Sequence, residues 1–382
     1  MGRAVKGPGR WGFYRYVPEC LPRKLALDST TVLALSKADT ALGRLAGAGR
    51  LLPNPHLLVG PYVTAEAVAS SRIEGTQASL SDVFEANATG RSTPGSDVLE
   101  VQNYIAAMAT GLRQLEDMPL CLRLIRDVHA VLMSGVRGQE RRPGELRTSP
   151  NWIGSSTDTP EDAAFVPPLP DEMGPLLGDL EQFLNEDAPL PVLVRCALAH
   201  YQFETIHPFL DGNGRIGRLL VTLYLCVNGV LRTPSLYLSL YLKTHRADYY
   251  RLLQDVREHG AWETWLDFFL TGVADTANQA FDAATRIIDL FKEDRELITT
   301  ESDRAGSTLR IHDQFQHNPF LMANQLVQQT GLSAPTVNAA LADLERFGIV
   351  EEITGRKRGR VFSYRRYLAI LSEGTDPLPI TP

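Results

Sequence analysis

The sequence predicts a mainly α-helical protein that ends in a small module of short helices and two strands. Apolar residues recur at three- and four-residue spacing along most of the chain, the period of an amphipathic helix. Gly, Pro and polar clusters divide this pattern into separate segments. The end of the chain changes to shorter helical segments and two apolar strands around a basic turn. A length of 382 residues indicates two or three domains.

The helical pattern begins after an N-terminal arm. The first 30 residues are rich in Gly, Pro and Arg, and we expect an extended arm that packs on another part of the protein. The helices predicted after it cover residues 31–49, 62–73, 99–115, 122–133, 171–185, 191–206, 213–228, 247–258 and 262–290. Gly75 follows the second of these helices in the usual C-cap position.

The segment 141–170, which we call the flap, departs from the helical period. Two short apolar pieces, Asn151–Ile153 and Phe165–Val166, lie on either side of a polar turn. This arrangement is typical of two paired strands joined by a loop. We therefore predict a hairpin-like flap rather than a helix.

The C-terminal residues have the outline of a winged helix-turn-helix. Helices are predicted at 309–316, 322–330 and 334–347, and strands at 349–353 and 361–364. Three helices followed by a two-stranded wing form this small fold. The predicted domains are an N-terminal arm and helix (1–60), a helical core with the flap (61–291), a polar linker (292–306) and the winged module (307–382).

Charge limits the choice of partners. The net charge of −7 excludes a general nucleic-acid binder. From Arg304 to Arg366, however, nine basic and five acidic side chains give a local balance of +4. The winged module is therefore the one part of the chain that is suited to a polyanion such as DNA.

Cysteine usage and hydropathy indicate the compartment. The four cysteines are widely scattered, without a CxxC pair or a nearby histidine cluster. We expect free thiols rather than a zinc site or a disulfide framework. The N-terminus lacks the apolar core of a secretory signal, and no apolar run is long enough to cross a membrane. We expect a cytoplasmic protein with no membrane partner.

The segment 207–218, HPFLDGNGRIGR, has the pattern of a phosphate site, and we call it the signature loop. A new helix begins within it and presents its positive N-terminus to the loop. Glycines on both sides of Asn213 let backbone N–H groups approach an anion closely. Arg215 and Arg218 lie three residues apart and can face the same point. These features predict a site for a di- or triphosphate.

Two further side chains of the loop suit chemistry on a phosphate. His207 lies at the mouth, and an imidazole with a pKa of about 6.5 can take a proton from an incoming hydroxyl. Asp211 can hold a Mg²⁺ ion that bridges the phosphates. The alternative is structural, with a turn that only reverses the chain and a histidine that only packs. The presence of both features within twelve residues favours the functional interpretation.

The signature loop resembles the signature of the Fic family, HxFx(D/E)GNGRxxR, at every specified position. Members of this family typically transfer AMP from ATP to a Ser, Thr or Tyr hydroxyl of a target protein. The resemblance covers about residues 60–290 and implies a Fic-type helical core, with ATP as the substrate and Mg²⁺ as the cofactor. The winged module is a frequent attachment in this family.

The same resemblance implies a role for each residue of the loop. His207 would deprotonate the target hydroxyl, and Asp211 would coordinate Mg²⁺. Arg215 and Arg218 would hold the outer phosphates and help pyrophosphate to leave. The other residues that it implies in nucleotide binding are Phe209, Gly212, Asn213 and Gly214, of which the last three would form the anion nest. Catalysis would then consist of positioning and charge stabilisation.

The resemblance extends to both sides of the loop. The Pro143–Arg147 stretch, PGELR, and the flap after it match the family's layout. A target protein would dock on the flap near residues 150–167 as an added strand. Tyr249 and Tyr250 resemble a pair that family members place near the adenine. The alternative for these two residues is that they pack a helix.

An inhibitory element is implied before the loop. Residues 70–75, SSRIEG, match the Fic inhibitory-helix pattern (S/T)xxxE(G/N), with Ser70 and Glu74 at its specified positions. In such proteins the Glu pairs with the second arginine of the signature, here Arg218. A planar, bidentate pair would hold Arg218 away from the γ-phosphate and would also place Glu74 at the nucleotide site. A glutamate near a helix end can otherwise be an ordinary solvated side chain.

Other functions stay open at this stage. In some relatives the same Glu orients a water that removes AMP, so a de-AMPylating hydrolase that uses Glu74 is one alternative. A nucleotide-sensing regulator that binds DNA through residues 307–366 is another. The basic turn, with Arg356, Lys357, Arg358 and Arg360, suits phosphate contacts. The predicted recognition helix offers few base-reading side chains, so the module could instead support protein contacts or a homodimer.

Overall fold

The computed structural model describes residues 2–6, 13–51, 56–90, 93–154, 159–356 and 359–375. In these ranges it contains fifteen α-helices and five short strands, which confirms a mainly helical protein. The first eight helices are α1 Ser29–Leu51, α2 His56–Ile73, α3 Leu80–Thr89, α4 Asp97–Gln114, α5 Leu122–Leu132, α6 Pro170–Asn185, α7 Val192–Ile206 and α8 Asn213–Val227. The others are α9 Ser239–Thr244, α10 Arg246–His259, α11 Trp262–Glu301, α12 Ala305–His317, α13 Ala323–Thr330, α14 Ala334–Arg346 and α15 Arg365–Ser372.

The strands form two small antiparallel sheets. Strands β1 (Arg3–Lys6) and β2 (Tyr14–Val17) make a pair at the N-terminus. Strands β3 (Phe320–Met322), β4 (Glu351–Glu352) and β5 (Val361–Ser363) make a second sheet in the order β3-β5-β4. With α12, α13 and α14, this second sheet has the element order of a winged helix-turn-helix. Lys357 and Arg358, predicted at the wing tip, lie outside the described residues.

Helix α7 lies at the centre of the core. Every residue from Leu193 to Ile206 is buried, including polar residues such as Arg195, His200 and Glu204, so the helix is enclosed on all sides. Helix α8 packs against it, and most of α8 is buried as well. The signature loop joins these two helices and is therefore held between two buried helices.

The predicted N-terminal arm is a β-hairpin that packs on the core. The N–H of Tyr16 donates to the carbonyl of Val166 at 2.9 Å, so the hairpin lies against the second arm of the flap. Arg15 forms a two-pronged ion pair with Glu172 at the start of α6, with distances of 2.8 and 2.7 Å. The arm therefore supports the flap.

The winged module packs on α3, the helix that follows the predicted inhibitory element. The rings of Phe84 in α3 and Phe320 in β3 stack with centroids 6.3 Å apart. Gln325 of α13 donates its side-chain amide to the carbonyl of Ala88 at 2.8 Å. The module is thus in direct contact with the helix that follows the turn carrying Glu74.

The predicted linker at 292–306 is mostly helical. Helix α11 continues to Glu301, and α12 begins at Ala305. Although the sequence of this segment is polar, the side chains of Asp294 and Ile298, one helical turn apart, are buried. The hydroxyl of Tyr364 donates to Asp294 at 2.5 Å, and Arg366 donates to it at 3.0 Å. These contacts attach the segment to the winged module.

No helix in the part of the chain that the structure describes combines the length and the apolar character needed to span a bilayer.

Candidate active site

The signature loop begins at His207, where α7 ends. His207 adopts a left-handed backbone conformation, with φ 51° and ψ 60°, and its N–H donates to Phe203 O at 2.9 Å. Residues other than glycine take up this conformation at a cost, usually where neighbouring contacts hold them. Pro208 cannot donate a helical hydrogen bond, so α7 does not continue. The predicted base thus stands at a constrained corner of the backbone.

Asn213 closes the loop on itself. Its Oδ1 accepts the N–H of Phe209 at 2.8 Å, and its Nδ2 donates to the carbonyl of Phe209 at 2.8 Å. The Phe209 ring is buried and stacks on His129, with centroids 3.8 Å apart. These side chains shape the loop from inside. A nucleotide contact for Phe209 or Asn213 stays a prediction.

The N-terminus of α8 faces the carboxylate of Glu74. The first N–H groups of a helix have no partner inside it. A Cβ on Gly214 would overlap Glu74 Oε1 and would lie 2.9 Å from Arg218 Nη1. Because Gly214 has no side chain, the carboxylate can reach the helix terminus. An anionic side chain of the same protein therefore lies where the sequence predicts a bound anion.

Arg218 is buried and bound to two residues of the α2 region. Its Nε donates to Ser70 Oγ at 2.9 Å, and its Nη2 donates to Ser70 O at 2.9 Å and to Glu74 Oε1 at 2.6 Å. The predicted bidentate Glu–Arg pair was wrong in this detail. Ser70 lies one helical turn before Glu74 and occupies the Nε edge of the guanidinium, so the carboxylate receives a single hydrogen bond, from Nη2.

Burial and charge act in opposite directions on this pair. Desolvation raises the pKa of the Glu74 carboxyl, but the charge and hydrogen bond of Arg218, together with Arg215 and His207, outweigh it, and the pKa is lowered overall. Burial would lower the pKa of Arg218, whereas Glu74 and other acidic groups raise it well above its usual value. Both side chains are therefore charged at neutral pH.

Arg215 lies beside the loop without a strong acceptor. Its Nη2 donates to the sulfur of Met133 at 3.4 Å. The carboxylates of Glu100 and Asp211 lie 3.7 and 3.9 Å from it, beyond hydrogen-bond distance. Its Nε and Nη1 are buried without a hydrogen-bond partner among the described residues. A guanidinium in this state has donors available for an incoming anion.

The surroundings of His207 favour a neutral imidazole. Burial and the positive charges of Arg147 and Arg257 lower the pKa of His207 to about 4, although the carbonyl of Glu204 and the charge of Glu74 oppose this effect. At neutral pH the side chain is therefore unprotonated. This is the form that can accept a proton from a hydroxyl.

The flap lies next to the loop as a minimal hairpin. Ile153 and Phe165 exchange backbone hydrogen bonds of 2.8 and 3.2 Å in one antiparallel bridge. Residues 155–158, which form part of the predicted docking region at 150–167, lie outside the described residues. Asn151 donates to the carbonyl of Phe209 at 3.0 Å and ties the flap to the signature loop.

Comparison with known proteins identifies the family. Residues 32–113 match the domain described as Fic/DOC family N-terminal, and residues 119–225 match the domain described as Fic/DOC family. The chain belongs to the Fic/DOC family. The first match includes Ser70 and Glu74, and the second includes the whole signature loop.

Individual Fic proteins are similar over part of their length. The chain is 29% identical over 192 residues to protein adenylyltransferase fic-1 of Caenorhabditis briggsae, which covers 47% of this chain and 34% of that protein. It is 28% identical over 247 residues to protein adenylyltransferase Fic of Drosophila erecta, which covers 62% of this chain and 45% of that protein. The chain thus spans less than half the length of these curated relatives.

A solved Fic structure has the same fold. The crystal structure of a Fic family protein from Desulfovibrio desulfuricans superposes with a TM-score of 0.57. The match covers 89% of this chain and 97% of that one at 22% sequence identity. A likeness at this identity supports the fold alone.

Asp211 is the Fic residue that would hold Mg²⁺. Its side chain is 43% exposed, and its Oδ1 accepts the N–H of Gly212 at 2.6 Å. The described residues contain no cluster of three or more potential metal ligands. Mg²⁺ commonly takes one or two carboxylates and completes its shell with phosphates and water. A single exposed carboxylate at the mouth of the loop fits such an ion.

The two predicted adenine-site tyrosines differ in position. Tyr249 is buried in the Fic core, where its hydroxyl lies 2.9 Å from His200 Nε2 and its ring packs near Trp265. Tyr250 is 39% exposed, and the guanidinium of Arg246 lies over its ring. Packing thus accounts for Tyr249 in this structure. An adenine contact stays a prediction for each tyrosine.

Several residues around the site were not found from the sequence. His129 accepts the N–H of Gly144 at 2.8 Å through Nδ1, so its Nε2 donates to Asp211 O at 2.9 Å. Glu204 lies one turn before His207 with a buried Oε1 that has no partner among the described residues. The PGELR motif pointed to Arg147 without indicating a role. Their positions depend on contacts between distant parts of the chain.

Proposed function

We propose that this Fic protein transfers AMP from ATP to a Ser, Thr or Tyr hydroxyl of a target protein and that Glu74 inhibits it at rest. One observation carries the proposal. The Glu74 carboxylate lies against the N-terminus of α8 at Gly214 and binds Arg218. A helix N-terminus that faces an internal anion is suited to the phosphates of a nucleotide. The names of the relatives, protein adenylyltransferases, support AMP as the transferred group.

The reaction needs little covalent participation by the protein. The target hydroxyl gives its proton to the neutral imidazole of His207, and its oxygen attacks the α-phosphorus of ATP. The bond between the α-phosphorus and the oxygen that leads to the β-phosphorus breaks, and pyrophosphate leaves. The N–H groups at the start of α8, together with Arg215 and Arg218, stabilise the charge on the departing phosphates.

Mg²⁺ would supply charge neutralisation when it is bound with ATP. Asp211 is the residue that would hold it. The flap would receive the target segment near residues 150–167 as an added strand and place its hydroxyl near His207. The contact between Asn151 and the carbonyl of Phe209 supports this arrangement, because it fixes the flap relative to the loop.

The resting contacts explain the inhibition physically. Three of the five N–H donors of Arg218, those on Nε and Nη2, bond to Ser70 and Glu74 and are occupied. A γ-phosphate placed near Arg218 would also meet the Glu74 carboxylate, and like charges repel. ATP could bind in part, but its phosphates would not reach the geometry for attack.

The test is labelling by Glu74→Gly in the full chain. The purified variant and the wild type are incubated with Mg²⁺ and ATP that carries the radioactive label on the α-phosphate. We expect strong labelling of the variant itself or of lysate proteins and little labelling by the wild type. ATP labelled on the γ-phosphate should give no signal, and Glu74→Gly combined with His207→Ala should be inactive.

Absence of labelling by Glu74→Gly, in itself and in a lysate, would contradict the proposal. Release of AMP from a labelled protein by the wild type would instead indicate the hydrolytic direction. Both measurements use the same labelled material, so one preparation distinguishes transfer from removal.

A second role, DNA binding, is proposed for the winged module. A groove of about 800 Å³ lies between α13, α14 and the wing. Its lining combines the apolar Ala323, Val327 and Ala334 with polar and basic side chains, namely Asn324, Gln328, Asn338, Arg356 and Arg360. A recognition helix beside a basic wing is the usual arrangement for phosphate and major-groove contacts. A gel shift of the full chain that weakens steeply with salt would support this role. Unchanged mobility at low salt would contradict it.

A cytoplasmic location is proposed on chemical grounds. The cysteines are free thiols: Cys20, Cys121, Cys196 and Cys226. Unpaired cysteines are usual in a reducing compartment.

A further inference from the structure

Arg147, at the start of the flap, makes an unusual set of hydrogen bonds to the segment that carries His207. Its Nε donates to His207 O at 2.9 Å, and its Nη2 donates to Ile206 O at 3.3 Å. Its backbone N–H donates to Pro208 O at 2.9 Å. Three consecutive carbonyls around the predicted base therefore accept from this one residue.

The same guanidinium also joins the two arms of the flap. Its Nη2 donates to Pro168 O on the second arm, and its Nη1 donates to Ser149 O on the first arm at 3.4 Å. Arg147 is only 2% exposed, so these bonds form away from water. The flap and the corner at His207 are thus fixed to each other through one side chain.

The backbone at this corner needs such a partner. The last carbonyls of a helix receive no hydrogen bond from within the helix. A buried carbonyl that is left without a donor destabilises the fold. His207 is also in the left-handed region, where a non-glycine residue must be held by its neighbours. A charged guanidinium with a fixed fork of donors satisfies several carbonyls at once.

Arg147 acts on His207 through its charge as well. The hydrogen bonds that the Arg147 guanidinium makes to the described residues all end on carbonyl oxygens, which do not neutralise its charge. Arg147 from the flap and Arg257 from α10 add to the effect of burial in lowering the pKa of His207, while Glu74 from the α2 region and the Glu204 carbonyl raise it. The positive charge of Arg147 therefore favours the neutral imidazole.

We propose that Arg147 is a positioning residue that holds the His207 corner and both arms of the flap in one fixed arrangement. It touches no phosphate-binding residue of the loop, so its effect is on the base and on target placement. This inference rests on the proposed function only in the role of His207 as the base.

The experiment separates geometry from charge with two variants in the full-length Glu74→Gly chain. Arg147→Gln removes both the positive charge and the fixed set of guanidinium donors. Arg147→Lys keeps the charge but also removes these donors. Initial rates of auto-modification are measured against ATP concentration and pH. The pKa of His207 is followed separately by NMR of the histidine Cε1–H signals, assigned with His207→Asn.

We expect both variants to lower kcat by up to about 100-fold, the effect of a small misplacement of a reacting group, with little change in KM for ATP. Only Arg147→Gln should raise the pKa of His207 and move the acid limb of the rate profile to higher pH. Arg147→Lys should leave the limb in place. Arg147→Lys also serves as the test if Arg147→Gln does not fold.

Arg195→Gln is the matched control. Arg195 is a buried arginine of α7 that donates to the carbonyls of Phe183 and Glu186 at 2.5 and 2.6 Å, at the opposite end of the helix from His207. It should lower stability without moving the His207 titration. An unchanged kcat in both Arg147 variants, or an equal change of His207 titration in the Arg195 control, would overturn the inference.

Failure of the proposed function is distinguishable from this result. If Glu74→Gly labels nothing, the proposed function fails, but the NMR titration still measures the effect of Arg147 on His207. If Glu74→Gly is active and Arg147→Gln matches it in rate and titration, the inference about Arg147 alone is wrong.

Discussion

The carboxylate of Glu74 occupies the space that a Cβ on Gly214 would fill, at the N-terminus of the helix that begins in the signature loop. Two elements separated widely in the chain meet there without a side chain between them. The sequence predicts Gly214 as part of an anion nest. In the structure it also makes room for Glu74. The same space thus serves the carboxylate at rest and, in our proposal, a phosphate during turnover.

Gly214→Ala should separate these two uses of the space. The added methyl overlaps Glu74 Oε1, so we expect a loss of about 1–3 kcal/mol in unfolding free energy, typical of overpacking. ATP binding should also weaken, because the methyl covers the helix N-terminus. Chemical denaturation and calorimetric titration with ATP and Mg²⁺ measure the two effects.

The double variant sharpens this prediction. In the Glu74→Gly background, Gly214→Ala should cost less stability than in the wild type, while ATP binding stays weak. Gly43→Ala, in α1 where an added Cβ meets nothing within 4 Å, is the matched control and should not destabilise the protein. An equal stability loss in both backgrounds would mean that Glu74 does not lie over Gly214 in solution.

Ser70→Ala should release the inhibition in part. The variant loses the bond from Arg218 Nε to Ser70 Oγ, whose net contribution is about 1 kcal/mol. The Ser70 carbonyl and Glu74 still hold the guanidinium. We therefore expect auto-modification several-fold above the wild type but well below Glu74→Gly, measured with α-labelled ATP.

Ser71→Ala is the control for that variant. Ser71 is the buried neighbour of Ser70, and its hydroxyl has no hydrogen-bond partner among the described residues. Its replacement should leave the rate at the wild-type level. Equal activation by both variants would indicate a general loosening of α2 rather than loss of the Arg218 contact.

The local patterns of the sequence predicted much of the site. His207 and Asp211 lie in the loop between α7 and α8, and Arg215 and Arg218 lie in the first two turns of α8, so their order in the sequence already places them together. The pairing of Glu74 with Arg218 came from a short motif and is present, although these residues are 144 positions apart. The second role of Ser70, as the acceptor at the Nε edge, depended on the angle at which Arg218 meets α2, and no pattern encodes that angle.

The sequence analysis did not predict helix α3 or the contacts of Arg147, for different physical reasons. Helix α3 is short, but its capping box between Ser79 and Asp82 is a local signal that could have predicted it. The contacts of Arg147 with the carbonyls at 206–208 join residues about 60 positions apart and involve backbone acceptors. A sequence pattern records side chains, so bonds to distant carbonyls leave little trace in it.

Acid should destabilise the protein through its buried histidines. Burial lowers the pKa of four histidines to about 4: His129, His200, His207 and His312. Unfolded histidines titrate near 6.5, so between about pH 4 and 6.5 the unfolded chain binds more protons and stability falls as pH falls. Burial raises the pKa of Glu66 and of Glu204 to about 7, which acts in the opposite direction over about pH 4.5 to 7.

Because four histidines oppose two glutamates, the net effect is a loss of stability on acidification. Urea unfolding at several pH values between 5 and 7 measures it. His200→Asn should reduce the slope of the unfolding free energy against pH by the equivalent of about one bound proton, since His200 is buried. Stability that rises towards pH 5 would contradict the prediction.

Thr76→Val should weaken a second attachment of the inhibitory turn. The hydroxyl of Thr76, two residues after Glu74, donates to Glu100 Oε2 at 2.7 Å, and both residues are buried. The same oxygen of Glu100 lies 3.7 Å from Arg215 Nη1. The turn that carries Glu74 is therefore connected to both signature arginines, to Arg218 directly and to Arg215 through Glu100.

Valine keeps the shape of threonine and removes the hydroxyl. We expect auto-modification by Thr76→Val to exceed that of the wild type several-fold, because the turn loses an anchor of about 1 kcal/mol. The change should have little further effect in Glu74→Gly, where the inhibitory contact is already absent. Thr64→Val, which removes a hydroxyl that bonds only within α2, is the matched control. General destabilisation would lower the rate, so an increase confined to Thr76→Val would identify the Thr76–Glu100 bond as part of the inhibition.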